Sequence, residues 1–72
     1  MKLFVKLRFS SEGGSPLDII KSVKDLGFSP VFGDYDFVIH FEDPEDYSKI
    51  VNSLHKTLQG TKVFYSLTTK KD

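Results

Sequence analysis

Apolar and polar residues alternate with period two over residues 2–9. Leu3, Val5, Leu7 and Phe9 form one set, and Lys2, Phe4, Lys6 and Arg8 the other. That is the pattern of a strand half-buried on one face. After a loop from Ser10 to Gly14, Ser15-Pro16-Leu17-Asp18 reads as a helix start. Serine caps, proline takes the first helical position, and the aspartate is placed to reach back as in a capping box. Leu17, Ile20, Val23 and Leu26 continue at roughly helical spacing, and Gly27 is the expected left-handed stop. Phe28 to Phe32 is short, apolar and contains Pro30. Proline donates no ladder hydrogen bond, so an edge strand is predicted. Gly33-Asp34 predicts a tight turn. Tyr35, Phe37, Ile39 and Phe41 then alternate with Asp36, Val38, His40 and Glu42 as the clearest strand of the chain.

Asp43-Pro44-Glu45-Asp46 repeats the helix-start grammar, with a cap, a proline and acids at the positive end of the dipole. Tyr47, Ile50, Val51, Leu54 and Leu58 make one apolar helix stripe that ends at Gly60. Val63, Tyr65 and Leu67 alternate with Phe64, Ser66 and Thr68 as a last strand, and Lys70, Lys71 and Asp72 read as a polar tail. Residues 1–72 are therefore expected to form a single α+β domain. The order βαββαβ predicts a ferredoxin-like sandwich, a four-stranded antiparallel sheet with two helices on one face. The first and third strands are expected at its centre.

Two helices cover only one sheet face. Giving them the more apolar set of each strand places Tyr35, Phe37, Ile39 and Phe41 beneath them. The open face then carries Phe4, Val38 and Phe64, with Lys6, Arg8, Asp36, His40 and Glu42. Phe4, Val38 and Phe64 are expected to form a continuous apolar patch, hence a contact surface. The candidate dimer interface is Phe4, Lys6, Val38, His40 and Phe64. Size points the same way. A chain this short buries only about 60% of the surface its unfolded form exposes, and its core supplies roughly 3–5 kcal/mol. The chain has no cysteine, so no disulfide or thiolate-bound metal reinforces it. A second subunit is the remaining reinforcement.

The formal net charge is zero, which argues against a strong sequence-independent phosphate binder. A basic strip of Lys2, Lys6 and Arg8 leaves only weak anion binding in view. The apolar runs are too short to span a bilayer. Lysines interrupt the first residues, so no signal peptide is read there. A cytoplasmic chain is expected, without membrane contact.

No catalytic constellation emerges, so no enzyme, cofactor or metal is expected. His40 and His55 have no second ligand at zinc-type spacing. In the acidic cluster Glu42, Asp43, Glu45 and Asp46, a helix cap and first-turn acids account for three members, and the calcium-loop pattern is absent. Gly13-Gly14 lacks the spacing of a phosphate loop and reads as a connector. Gly33-Asp34-Tyr35-Asp36 stands apart. Two aspartates around a tyrosine at a sheet end suit a polar ligand, since carboxylates accept from an ammonium group and glycine admits close backbone approach.

The run Gly33-Asp34-Tyr35-Asp36-Phe37-Val38-Ile39 resembles the hairpin signature of the RAM domain, the effector-binding domain of the Lrp/AsnC transcription regulators. The helix after it, up to Gly60, follows the layout of that family. The resemblance implies the βαββαβ fold and a sheet-to-sheet homodimer forming a dimeric α+β barrel, with higher homo-oligomers beyond it. It also implies an amino acid effector bound between dimers near the hairpin. Carried onto this chain, Gly33, Asp34, Tyr35 and Asp36 are the ligand-binding candidates. No helix-turn-helix portion precedes the first strand, so a stand-alone module without direct DNA contact is expected. Mixed assembly with full-length Lrp/AsnC regulators is a partnership this layout leaves open.

A rival reading comes from another class. Leu3-Phe4-Val5-Lys6-Leu7 is similar to the first-strand motif of RNA-recognition-motif domains, and Tyr35-Asp36-Phe37-Val38 is loosely similar to the third. There Phe4, Tyr35 and Phe37 would stack bases on the open face. Alternation opposes this. Turning Tyr35 and Phe37 outward turns Ile39 and Phe41 outward too, and sends Asp36, His40 and Glu42 inward at a desolvation cost. A dimeric-barrel monooxygenase shares the fold, but no residue argues for it.

Overall fold

The structure is a computed structural model and describes residues 1–71. Asp72, the last residue of the expected tail, lies outside them. Strand β1 runs over Lys2–Arg8, helix α1 over Pro16–Asp25, and strand β2 over Ser29–Pro30. Strand β3 covers Phe37–His40, helix α2 Pro44–Leu58, and strand β4 Phe64–Lys70. The sheet order is β2-β3-β1-β4, with every pairing antiparallel. This is the ferredoxin-like βαββαβ arrangement, with β1 and β3 central and β2 and β4 at the edges.

Alternation in β1 decides the layers. Leu3, Val5 and Leu7 are buried, and the register joins Leu3 to Ile39 and Val5 to Phe37. Ile19 and Val23 of α1 and Leu54 and Leu58 of α2 close the core over them, and Phe28 and Phe41 complete it. Burying one such side chain contributes about 1.5–3 kcal/mol relative to leaving it exposed.

The helices begin as their prolines predict, but the caps differ. The Asp43 carboxylate accepts from the Asp46 N–H at 2.9 Å. Ser15 makes no side-chain cap, and its carbonyl accepts from the Ile19 N–H instead. Leu17, placed on the buried stripe of α1 by spacing, is exposed, and Ile19 takes its place. Ile19 and Val23, four apart, share the inward face that docks against the sheet. Phe9, expected in the buried set, lies beyond the end of β1 and is partly exposed. Lys70, expected in the tail, is the last residue of β4.

Gly13 answers a packing need. A Cβ there would sit 2.1 Å from the Thr61 carbonyl oxygen. The next residue, Gly14, donates its N–H to that same oxygen at 3.0 Å. The glycine pair therefore lets the β1–α1 connection lie against the α2–β4 turn. Among the described residues, no helix is long and apolar enough to cross a membrane.

Candidate functional site

The stretch between β2 and β3 is longer than a two-residue turn. Residues 31–36 link the strands, closed by the Val31 N–H donating to the Asp36 carbonyl at 3.0 Å. Gly33 has a φ of 109°, a conformation that favours glycine, and a Cβ there would meet nothing within 4 Å. The backbone of the turn, not crowding, selects this residue.

Asp36 ends the ladder between β1 and β3. Its N–H donates to the Val5 carbonyl at 2.9 Å, and its Oδ2 accepts from the Leu7 N–H at 2.7 Å. A carboxylate thus stands where a strand carbonyl would otherwise meet β1. The break resets the alternation. Phe37 is buried beneath the helices, whereas Tyr35 stacks on Phe4 with ring centroids 4.9 Å apart and planes inclined by 36°. The expectation that Tyr35 packs beneath the helices is therefore corrected. Period two holds only within a continuous strand, and β3 begins after the break.

The four ligand candidates are consequently divided. Gly33 and Asp34 are exposed in the turn. Tyr35 joins the open face. Asp36 helps line a cavity of about 230 Å³ at the end of the sandwich, with Leu7, Phe9, Ile20, Lys24, Pro30 and Phe37. The lining residues are apolar except for Asp36 and Lys24. Lys24 was not marked by any motif. Its only signal was a cation in the last turn of α1, a position that helix dipoles favour on their own.

The interface candidates are divided as well. Phe4 pairs with Val38 on one side and Thr68 on the other, so Phe4 and Val38 adjoin. Phe64 pairs with Arg8, four residues along β1 and about 13 Å away at strand spacing. The expected continuous trio is not formed, because the β1–β4 register sets Phe64 at the far end. Phe64 is 71% exposed. With Lys6, Leu7, Arg8 and Ser66 it lines an open groove of about 530 Å³. His40 pairs with Lys2 at the other end. Lys70, opposite Lys2, carries its ammonium to 5.1 Å from the Tyr35 ring centroid and 5.5 Å from that of Phe4, within cation–π reach.

His55 is engaged on the helical side, its Nδ1 2.8 Å from the Tyr65 hydroxyl. Two regions therefore carry chemistry: the end cavity with Asp36 and Lys24, and the open face with its aromatic pair and cations. Against models of protein families, curated proteins and solved structures, the chain finds no match.

Proposed function

We propose that this chain is a ligand-binding and oligomerisation module of the Lrp/AsnC effector-domain type, sensing an amino acid or a similar small zwitterion. The observation that carries the proposal is that Asp36 and Lys24 both line one otherwise apolar cavity. An ammonium group fits the carboxylate, a carboxylate fits the lysine, and the apolar wall receives a side chain. Its volume of about 230 Å³ lies below the roughly 300–1,000 Å³ of drug-sized pockets, which favours a ligand of amino acid size. The Leu7 N–H holds Asp36 in place, so the acid is positioned before a ligand arrives.

Association is proposed at the same end. Phe32, within the hairpin, is fully exposed, and Phe9 in the cavity wall is partly so. A second copy covering this end would bury both and enclose the ligand. Small domains gain most from such reinforcement.

The test is thermal unfolding with a panel of amino acids, together with solution mass. A matching ligand at a hundred times its dissociation constant contributes about 2.7 kcal/mol, raising the melting temperature by on the order of 10 °C or more. Asp36→Asn keeps an acceptor for Leu7 and should abolish most of that shift, as should Lys24→Gln. A strict monomer whose melting temperature responds to no amino acid overturns the proposal.

A further inference from the structure

The two edges of the sheet are built differently. At one edge β2 has two residues, and one of them is Pro30. Short length and proline are devices that keep an edge from pairing. At the other edge β4 has seven residues, no proline, and one charge, Lys70 at its end. The direction of its backbone groups follows from β1. The Val5 carbonyl accepts from the Asp36 N–H, and the Leu7 N–H donates to the Asp36 carboxylate, so Val5 and Leu7 face β3. Lys2, Phe4, Lys6 and Arg8 therefore face β4, and their register partners Lys70, Thr68, Ser66 and Phe64 face back. Tyr65, Leu67 and Thr69 turn their backbone N–H and C=O groups outward. Among the described residues, no hydrogen bond reaches these outward groups.

We propose that this edge pairs with the β4 edge of a second copy, antiparallel about a two-fold axis at Leu67. A two-fold contact sets a surface against itself, and in that register the strand is self-complementary. Leu67 meets Leu67, and Tyr65 meets Thr69 in both directions. These residues carry the outward groups, so each pair exchanges two N–H···O bonds. In the closer pairs between them, Ser66 meets Thr68 and Phe64 meets Lys70. Phe64 is 71% exposed in the single chain, and the methylene stem of Lys70 from the second copy covers it. All seven residues of β4 find partners only in this register; moving the axis by one residue leaves two of them unpaired. The one charge of the strand never meets its like, because the two Lys70 groups lie at opposite ends, about 20 Å apart. Arg8, beside Phe64 on β1, is about 10 Å from the incoming Lys70, where salt screens most of the repulsion. Packing two sheets face to face covers side chains and leaves outward backbone groups unpaired, so the edge contact adds to an association of that kind. In a closed barrel, β2 of the partner offers only two residues to these seven. The hairpin belongs to the opposite edge, so ligand binding there is a separate event.

The test is amide hydrogen exchange read by NMR, together with solution mass by sedimentation. One added strand buries less than about 1,200 Å², the range of weak association, so both are followed from about 10 µM to about 1 mM. The N–H groups of Ser66 and Thr68 should be protected at every concentration. Those of Tyr65, Leu67 and Thr69 should gain protection of roughly tenfold or more as the dimer forms. Thr69→Pro removes a donor that the single chain leaves unused, at an edge position where proline is tolerated, and should weaken the dimer roughly tenfold or more. Phe64→Lys sets a cation against Lys70 of the second copy and should also weaken it. Adding Lys70→Glu turns both of those contacts into ion pairs and should restore the dimer. A chain that stays monomeric throughout that range overturns the inference. So does a dimer that leaves the Tyr65, Leu67 and Thr69 amides unprotected, or one that Thr69→Pro and Phe64→Lys leave equally tight. Failure of Lys70→Glu to restore association in the Phe64→Lys chain overturns it as well.

Discussion

The two faces of the sheet are built from the same strands and differ in nearly every other respect. On the covered face, Leu3, Val5, Leu7 and Phe37 are sealed by Ile19, Val23, Leu54 and Leu58. On the open face, Phe4 and Val38 are half-buried, and lysines, an arginine and hydroxyl residues surround them. One face holds the fold together, and the other leaves its chemistry available. The hairpin is where they meet. Tyr35, Asp36 and Phe37 are consecutive, yet one goes to the open face, one to the end cavity and one to the core. A single carboxylate bonded to the Leu7 N–H makes that division possible.

If the covered face carries the stability, the largest loss comes from opening it. Leu54 is fully buried, and Leu54→Ala should cost about 2–5 kcal/mol. Against a core of roughly 3–5 kcal/mol, that leaves much of the chain unfolded at room temperature, read by circular dichroism in a urea titration. The junction comes next. Asp36→Ala leaves the Leu7 N–H without its acceptor and should cost about 1–3 kcal/mol, whereas Asp36→Asn should recover most of the loss. Equal losses in the two variants would show that the charge, not the hydrogen bond, holds the hairpin. The open face should give the smallest effect. Phe64→Ala should change stability by about 0.5 kcal/mol or less. A loss as large as that of Leu54→Ala would erase the distinction between the faces.

Most of the fold was legible in the sequence because period-two and helical patterns report local geometry directly. The stripe from Tyr47 to Leu58, the Asp43 cap and the alternation of β1 all survive in the structure. Errors fall where local pattern is a poor guide. Leu17 and Ile19 are both apolar near a helix start, and only docking against the sheet chooses between them. The alternation from Tyr35 to Phe41 is unbroken as text, yet β3 starts at Phe37. Nothing in the letters marks Asp36 as a residue that terminates a ladder. The candidate site was legible in part. Asp36 was singled out from its stretch, but Lys24 lies twelve positions away on a helix and joins it only through packing.

By itself the sequence determined the number and kind of elements, their order, and therefore the βαββαβ sandwich. Those follow from local propensity and from which side of each element must leave water. Tertiary structure alone decided which residues became neighbours across strands. Register set Phe64 beside Arg8 instead of near Phe4, brought Lys70 over Tyr35, and so added a fourth cation to the strip of Lys2, Lys6 and Arg8 that alternation alone had placed on one face. The physical reason is that pairing between strands depends on hydrogen bonds formed at long sequence separation, which no local pattern encodes.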